Sequence, residues 1–166
     1  MAHKTTYKVQ RRRRREGKTD YLKRLNLLKG EKPRMVIRIS NNQVITQIME
    51  YSPEGDKTLI TATSKELQKY GWTGHNGNCS AAYLTGYLCG KKALKTGIKE
   101  AVPDLGLHTP VHKSNVFAVI KGGIDAGLGI NADEKAFPDK GRIEGKHLKN
   151  KQDIEGIKKK IGELNA

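Results

Sequence analysis

A run of five consecutive arginines, Arg11–Arg15, constrains this chain more than any other feature. Neighbouring like charges repel one another, so we expect the run to be disordered or frayed when it has no partner. Residues 1–30, called the arm below, carry eleven Lys or Arg and two acidic residues, more than half of the chain's net charge of +15. A surface of this kind attracts a polyanion: RNA, DNA or an anionic lipid.

The choice of arginine over lysine narrows the class of partner. The alternative interpretation of the arginine run is a solvated basic tail or a localisation signal that binds no nucleic acid, because short basic runs are common. Guanidinium groups bind phosphate in a bidentate manner and stack on bases, which ammonium groups cannot do, and this favours nucleic acid. The sequence has no apolar stretch of membrane-spanning length and no apolar leader after Met1, so we expect a cytoplasmic protein without a membrane partner.

A short amphipathic segment follows the arginines. The spacing predicts a helix within 18–29, with Thr19 as N-cap and Gly30 at its end. An apolar stripe should pack on the body of the protein: Tyr21, Leu22, Leu25 and Leu28. The basic side chains of the helix should stay outside: Lys23, Arg24 and Lys29. A tyrosine on such a stripe is more typical of packing than of stacking on a base.

The segment 31–131 has the pattern of an α/β domain. Residues 34–40 and 43–50 predict a β-hairpin, with Asn41 and Asn42 tolerating positive φ in the turn, and 58–63 predicts a third strand. A long helix is predicted over 80–94.

Two later segments complete the predicted fold. The apolar run 116–121 predicts a strand, with a helix starting at 122–129; a strand that follows a helix favours parallel addition to the sheet. Residues 132–166 hold nine basic and seven acidic residues and predict a charged surface appendage with a helix near 153–164. The fold class is therefore a single α/β domain whose mixed sheet opens antiparallel, with helices packed on it and with basic N-terminal and charged C-terminal extensions.

The sequence shows no arrangement typical of catalysis or metal binding. The five histidines have no diagnostic spacing, and Pro110 separates His108 from His112. Cys79 and Cys89 form no ligand series and are expected to be free thiols. The Gly-rich loop 71–79 lacks the Lys-Ser or Lys-Thr of a phosphate-binding loop, which favours a turn closely packed through small residues. We therefore expect no enzyme, no cofactor and no metal.

Four segments carry a resemblance to a known family: 11–25, 33–41, 104–110 and 116–128. The Glu-Gly-Lys-Thr-Asp-Tyr continuation of the basic run and the Lys-Gly-Gly-Ile-Asp-Ala-Gly-Leu element are the most specific. Together they resemble the universal 5S-rRNA-binding ribosomal protein family, called L eighteen in bacteria and archaea and L five in eukaryotes. The long basic N-terminus without a long C-terminal extension is most similar to the archaeal members.

The resemblance implies a structural, non-catalytic role in the large ribosomal subunit of the cytoplasm. The implied partners are 5S rRNA, held in the central protuberance, 23S rRNA and neighbouring ribosomal proteins. Carried over residue by residue, it predicts these RNA-binding positions: Arg11, Arg12, Arg13, Arg14, Arg15, Lys18, Tyr21, Arg24, Arg34, Arg38, Asn41 and Asn42.

One segment departs from the family pattern. Residues 130–138 lack the proline-histidine and basic run of many relatives, so the resemblance carries no RNA-binding position over to this segment and leaves RNA contact there open. The alternative function is a basic RNA-binding protein outside the ribosome, such as an RNA chaperone. A small enzyme on an α/β scaffold is the third hypothesis.

Overall fold

A single four-stranded sheet forms the centre of the computed structural model, which describes residues 8–148 and 152–163. The strands are β1 Arg34–Ile39, β2 Val44–Glu50, β3 Lys57–Thr63 and β4 Val102–Asp104. Their order is β3-β2-β1-β4, with β1 and β3 antiparallel to β2 and with β4 parallel to β1. The predicted α/β domain with a mixed sheet that opens antiparallel is confirmed.

Six α-helices lie in the described residues, together with two 3-10 helices at Ser64–Tyr70 and Glu134–Ala136. The α-helices are α1 Arg12–Arg15, α2 Tyr21–Leu28, α3 Cys79–Lys95, α4 Asn115–Asp125, α5 Lys140–Ile143 and α6 Ile154–Gly162. The predicted hairpin, third strand and long helix are confirmed. Helix α3 packs on β2, β3 and α4 and is the central helix of the core.

The hairpin turn is closed by the backbone and side chain of Ser40, without left-handed asparagines. The Ser40 hydroxyl donates to the Gln43 carbonyl at 3.0 Å and accepts from the Gln43 amide at 3.1 Å. Within the described ranges, Glu31 and Lys113 are the only non-glycine residues with positive φ. The predicted positive φ at Asn41 and Asn42 was therefore wrong: the Ser40 amide donates to the Gln43 carbonyl at 2.9 Å, and the Ser40 hydroxyl supplements this backbone bond.

The apolar run 116–121 forms a helix, α4, and the prediction of a strand there was wrong. Its β-branched side chains suited either structure, and the approach of α3 decided the outcome. A Cβ added at Gly86 would overlap the Val119 carbonyl, and one at Gly122 would overlap the Tyr83 carbonyl. Two helices pack this closely only through such glycines. The parallel strand of the sheet is instead β4, which lies between α3 and α4 in the sequence.

The C-terminal helix belongs to the core rather than to a surface appendage. Ile154, Ile157 and Ile161 recur at helical spacing on α6 and are all buried. Lys158 of the same helix donates to the Tyr83 hydroxyl at 2.8 Å, and that hydroxyl lies 2.7 Å from Asp125. The predicted helix near 153–164 is thus present, and its apolar face packs against α3.

The alternation of β1 gives the sheet two different faces. Met35 and Ile37 point into the core that α3 and α4 cover. The opposite face, called the outer face below, is formed by Arg34, Val36 and Arg38 of β1 together with their cross-strand neighbours on β2. The described part of the arm, from residue 8 onwards, lies over this outer face.

Candidate nucleic-acid interface

The arginine run forms a short exposed helix, α1, at one wall of the outer face. All of Arg11–Arg15 are exposed, and the first seven residues of the chain lie outside the described residues. The Arg13 side chain donates to the Thr19 hydroxyl at 2.8 Å. The Arg11 guanidinium lies over the Tyr21 ring at 5.0 Å from its centroid. Lys18 pairs with Glu16 at 2.9 Å. These local contacts orient the cations without burying them.

Helix α2 begins one residue later than predicted. The Asp20 carboxylate accepts from the amides of Leu22 and Lys23 at 3.0 and 3.1 Å, so Asp20 is the N-cap. The Thr19 hydroxyl is not the N-cap, because it accepts a hydrogen bond from the Arg13 side chain instead. The helix ends at Leu28, before Gly30.

Two of the four residues of the apolar stripe of α2 do not pack on the body as expected, whereas Tyr21 and Leu28 are half-buried. Leu22 and Leu25 are 71% and 53% exposed. The helix is attached by polar contacts instead: Arg24 forms two hydrogen bonds with Asp56, at 2.7 and 2.8 Å, and Lys23 donates to the Gly106 carbonyl at 3.2 Å. The prediction that Arg24 stays outside was therefore wrong, because Asp56 draws it towards the sheet.

An ion-pair network lies beneath α2 on the outer face. Arg34 donates to Asp56 at 2.7 Å and to Asp104 at 2.8 Å, so one guanidinium joins the turn before β3 to the end of β4. Asp56 in turn accepts from Arg24 of α2. The hydrogen bonds from Arg24, followed by those from Arg34, hold the pKa of Asp56 below its usual range. The same contact with Asp56 raises the pKa of Arg24.

Arg34, one of the predicted RNA-binding positions, is a buried residue rather than a surface residue of this chain. It is 2% exposed, and both terminal nitrogens are engaged by carboxylates. Arg38 lies four residues after Arg34 on β1 and is exposed. Its guanidinium donates to the carbonyls of Ile37 and Asp104 at 2.8 and 3.1 Å. The alternation of β1 places both arginines on one face, but only Arg38 lies beyond the cover of α2.

A cleft of about 1100 Å³ lies between the arm and the outer face. Its lining contains nine Lys or Arg and three Asp. Eight of the twelve predicted RNA-binding positions lie in this lining: Arg11, Arg13, Arg14, Lys18, Tyr21, Arg24, Arg38 and the buried Arg34. The structure therefore brings most of the predicted set to one concave, basic site.

Asn41 and Asn42 lie outside this cleft. They occupy the hairpin turn, beyond the far end of β1 from Arg34, a separation of roughly 20 Å along a strand. Both side chains are exposed. The Asn41 carbonyl packs against Gly77, and the Gly77 carbonyl accepts from the Asn115 side chain at 3.0 Å. The Gly-rich loop thus packs through small residues between the hairpin turn and α4, as predicted.

The cleft residues that the sequence analysis did not single out include Tyr51, Asp56 and Asp104. Asp56 and Asp104 lie 22 and 70 residues from Arg34 in the sequence, and no local pattern connects them. Tyr51 follows the end of β2, where alternation of side chains no longer identifies a face. A signal exists only for Asp56, as an acidic residue in the turn that precedes β3.

The described residues show few other reactive groups. Cys79 and Cys89 are free and buried, as expected, and burial raises the pKa of the Cys89 thiol to about 12. Residues 8–148 and 152–163 contain no group of three or more His, Cys, Asp or Glu placed to hold a metal ion. In the same ranges, no helix has the length and apolar character needed to cross a membrane.

A basic, concave surface on a small α/β domain defines a protein suited to an extended polyanion. The family model of ribosomal large subunit proteins 60S L5 and 50S L18 matches residues 5–103. The chain belongs to this family. It is 53% identical over 148 residues to the large ribosomal subunit protein uL18 of Methanothermobacter thermautotrophicus, a match that covers 89% of this chain and 77% of that protein.

Two further archaeal relatives show a similar level of identity. The uL18 proteins of Methanobrevibacter smithii and Methanosphaera stadtmanae are 50% and 49% identical, covering 90% and 89% of this chain and 78% and 77% of theirs. Family membership confirms the prediction of a large-subunit ribosomal protein of archaeal type, in the cytoplasmic ribosome, rather than an enzyme.

Proposed function

We propose that this ribosomal protein binds 5S rRNA and helps to attach it to 23S rRNA in the central protuberance. The observation that carries the proposal is the exposed arginine helix α1, which forms one wall of a cleft lined by nine basic residues. Membership in the L5 and L18 family supports a partner within the large subunit. Neighbouring large-subunit proteins and 23S rRNA are the further proposed partners.

The division of roles among the basic residues follows from their contacts. We propose that Arg11–Arg15, Lys18 and Arg38 contact RNA, because their side chains reach solvent. Arg24 and Arg34 act within the protein and hold α2 on the outer face through Asp56. Asn41 and Asn42 are a separate, weaker proposed contact at the hairpin turn.

Phosphate contacts would supply much of the affinity, and the folded body would supply selectivity. Neutralising phosphates releases counterions, so binding should weaken steeply as salt increases. A flexible polycation would discriminate little among RNAs, whereas an arm held at a defined angle to a sheet can recognise the shape of one RNA.

Selectivity at physiological salt tests the proposal directly. The affinity of the purified chain for 5S rRNA should exceed its affinity for an unrelated RNA of equal length by at least about a hundredfold. Equal affinities would show that the chain binds RNA without selectivity, and the proposal would fail.

A further inference from the structure

Exposed apolar side chains are concentrated in the cleft between the arm and the outer face. Four of the large apolar residues that the structure exposes line it: Val9, Leu25, Tyr51 and Leu107. Leu25 is 53% exposed and Tyr51 is 54% exposed. Single apolar residues scattered over a surface need no explanation, but a group of them within one concave site marks a place where a partner binds.

The charge around these side chains determines the kind of partner. The three acidic residues of the lining are already engaged within the protein: Asp56 and Asp104 by arginines, and Asp20 by the amides that begin α2. The arginines of α1, by contrast, are exposed, with Arg13 bonded to a neutral hydroxyl. The partner must therefore be anionic and must also present apolar surface.

We propose that this cleft binds unpaired nucleotides of the rRNA, with a base against Tyr51 and Leu25 and the phosphates on Arg13 and Arg14. The inference rests on the proposed function and specifies which part of the RNA the arm and the sheet hold between them. A paired helix hides its base faces in the stack and offers mainly phosphate and sugar. An unpaired base exposes a flat apolar face that stacks on an aromatic ring, while its phosphate remains charged.

The dimensions of the cleft agree with this ligand. Its volume of about 1100 Å³ is just above the range for sites that enclose a small organic molecule, so more than one nucleotide can enter. The Arg11 guanidinium already lies over the Tyr21 ring on the arm side of the cleft. A base stacked near Tyr51 would face this cationic wall across the cleft.

The test compares RNA binding by full-length variants that change apolar groups without changing charge. Tyr51→Ala removes the proposed stacking surface, and Tyr51→Phe keeps the ring. Leu25→Ala removes a side chain from the cleft. Leu22→Ala is its matched control, because Leu22 lies on the same helix, is 71% exposed and does not line the cleft.

Two probe RNAs accompany 5S rRNA: a fully paired hairpin and the same hairpin with an unpaired internal loop. Tyr51→Ala should weaken binding to 5S rRNA and to the looped hairpin about tenfold, with an unchanged salt dependence, and should leave the paired hairpin unaffected. Leu25→Ala should give a smaller loss in the same pattern. Tyr51→Phe and Leu22→Ala should bind like the wild type.

Two results would overturn the inference. The first is that Tyr51→Ala weakens binding to the paired and looped hairpins equally. The second is that it leaves binding to all three RNAs unaffected; reduced incorporation into large subunits would then indicate a protein partner in the cleft. Failure of the proposed function looks different, because the wild-type chain would then bind 5S rRNA no better than unrelated RNA. The two hairpins test the cleft in either case.

Discussion

Every residue of α3 from Cys79 to Gly90 is buried, whereas no residue of α1 or α2 is buried. The centre of the fold depends on close packing of α3 against α4 and the sheet, through glycines that allow the backbones to meet. The arm depends on a few ion pairs and hydrogen bonds, chiefly between Arg24 and Asp56. We infer that folding stability resides in the body and that RNA affinity resides mainly in the arm.

The largest expected effect is on the packing of the two helices. Gly86→Ala places a methyl group against the Val119 carbonyl, and backbone cannot move aside as a side chain can. The free energy of unfolding should fall by about 3 kcal/mol or more. Gly162→Ala, at the end of α6, is the control, because a Cβ there meets no atom within 4 Å. Denaturant unfolding measures both variants; equal stabilities would show that the helices are less tightly packed than described.

The second effect concerns the buried arginine of the outer face. Arg34→Met leaves Asp104 and Asp56 without their shared partner, and the free energy of unfolding should fall by about 2–3 kcal/mol. Because Arg34 is 2% exposed, the salt dependence of RNA binding by the folded variant should not change. A shallower salt dependence would mean that Arg34 contacts phosphate after all.

A smaller effect is expected where the arm meets the body. Asp56→Asn removes the charge that holds Arg24, so amide hydrogens of α2 should exchange faster, by roughly 1 kcal/mol in local opening free energy. Glu54→Gln makes the same charge change in the same turn at an exposed side chain and should have no effect. Unchanged exchange in Asp56→Asn would show that the arm is held by other contacts.

The same contact predicts a pH dependence. Pairing lowers the pKa of Asp56, so its contribution to arm docking is fully present above the ordinary aspartate pKa of about 3.9 and is lost as pH falls through the lowered value. The exchange rate of the α2 amides, corrected for intrinsic rates, should therefore increase only as the pH falls below about 3.9 and through the lowered pKa of Asp56. An increase between about pH 5 and 7 would assign docking to another group, such as a histidine.

The smallest expected effect is the change in RNA affinity when arginine is replaced by lysine at constant charge. Replacing Arg11–Arg15 with lysines keeps the charge but removes the forked, stackable groups, so affinity for 5S rRNA should fall about threefold. The salt dependence should stay nearly unchanged because the number of cations is the same. A full retention of affinity would show that only charge matters in the arm.

Local patterns predicted the elements whose contacts are close in sequence. The hairpin and β3 follow from alternation and turn residues, and α3 follows from the long run of mainly small and apolar residues after the Gly-rich loop. The run at 116–121 was misassigned because its β-branched residues favour a strand locally, whereas packing against α3 makes it a helix. Strand β4 has three residues and a proline, too little for a sequence pattern.

The candidate site, too, was predictable only where its residues are close together in the sequence. The charge run identified the arm, but the burial of Arg34 depends on Asp56 and Asp104, which only the folded chain brings together. The exposure of Leu25 likewise could not be predicted, because helical spacing shows which residues share a face and does not show what covers that face.

Truncation of the arm tests the central claim most directly. A chain without residues 1–18 lacks eight basic residues and one acidic residue and keeps all four strands and helices α2–α6. Its affinity for 5S rRNA should be measured against salt concentration, alongside denaturant unfolding. We expect unchanged stability, a lower affinity, and a salt dependence shallower by roughly 0.7 to 0.9 for each phosphate that the truncated chain no longer neutralises. Unchanged affinity and salt dependence in a normally folded truncated chain would contradict the account and place the RNA site on the body.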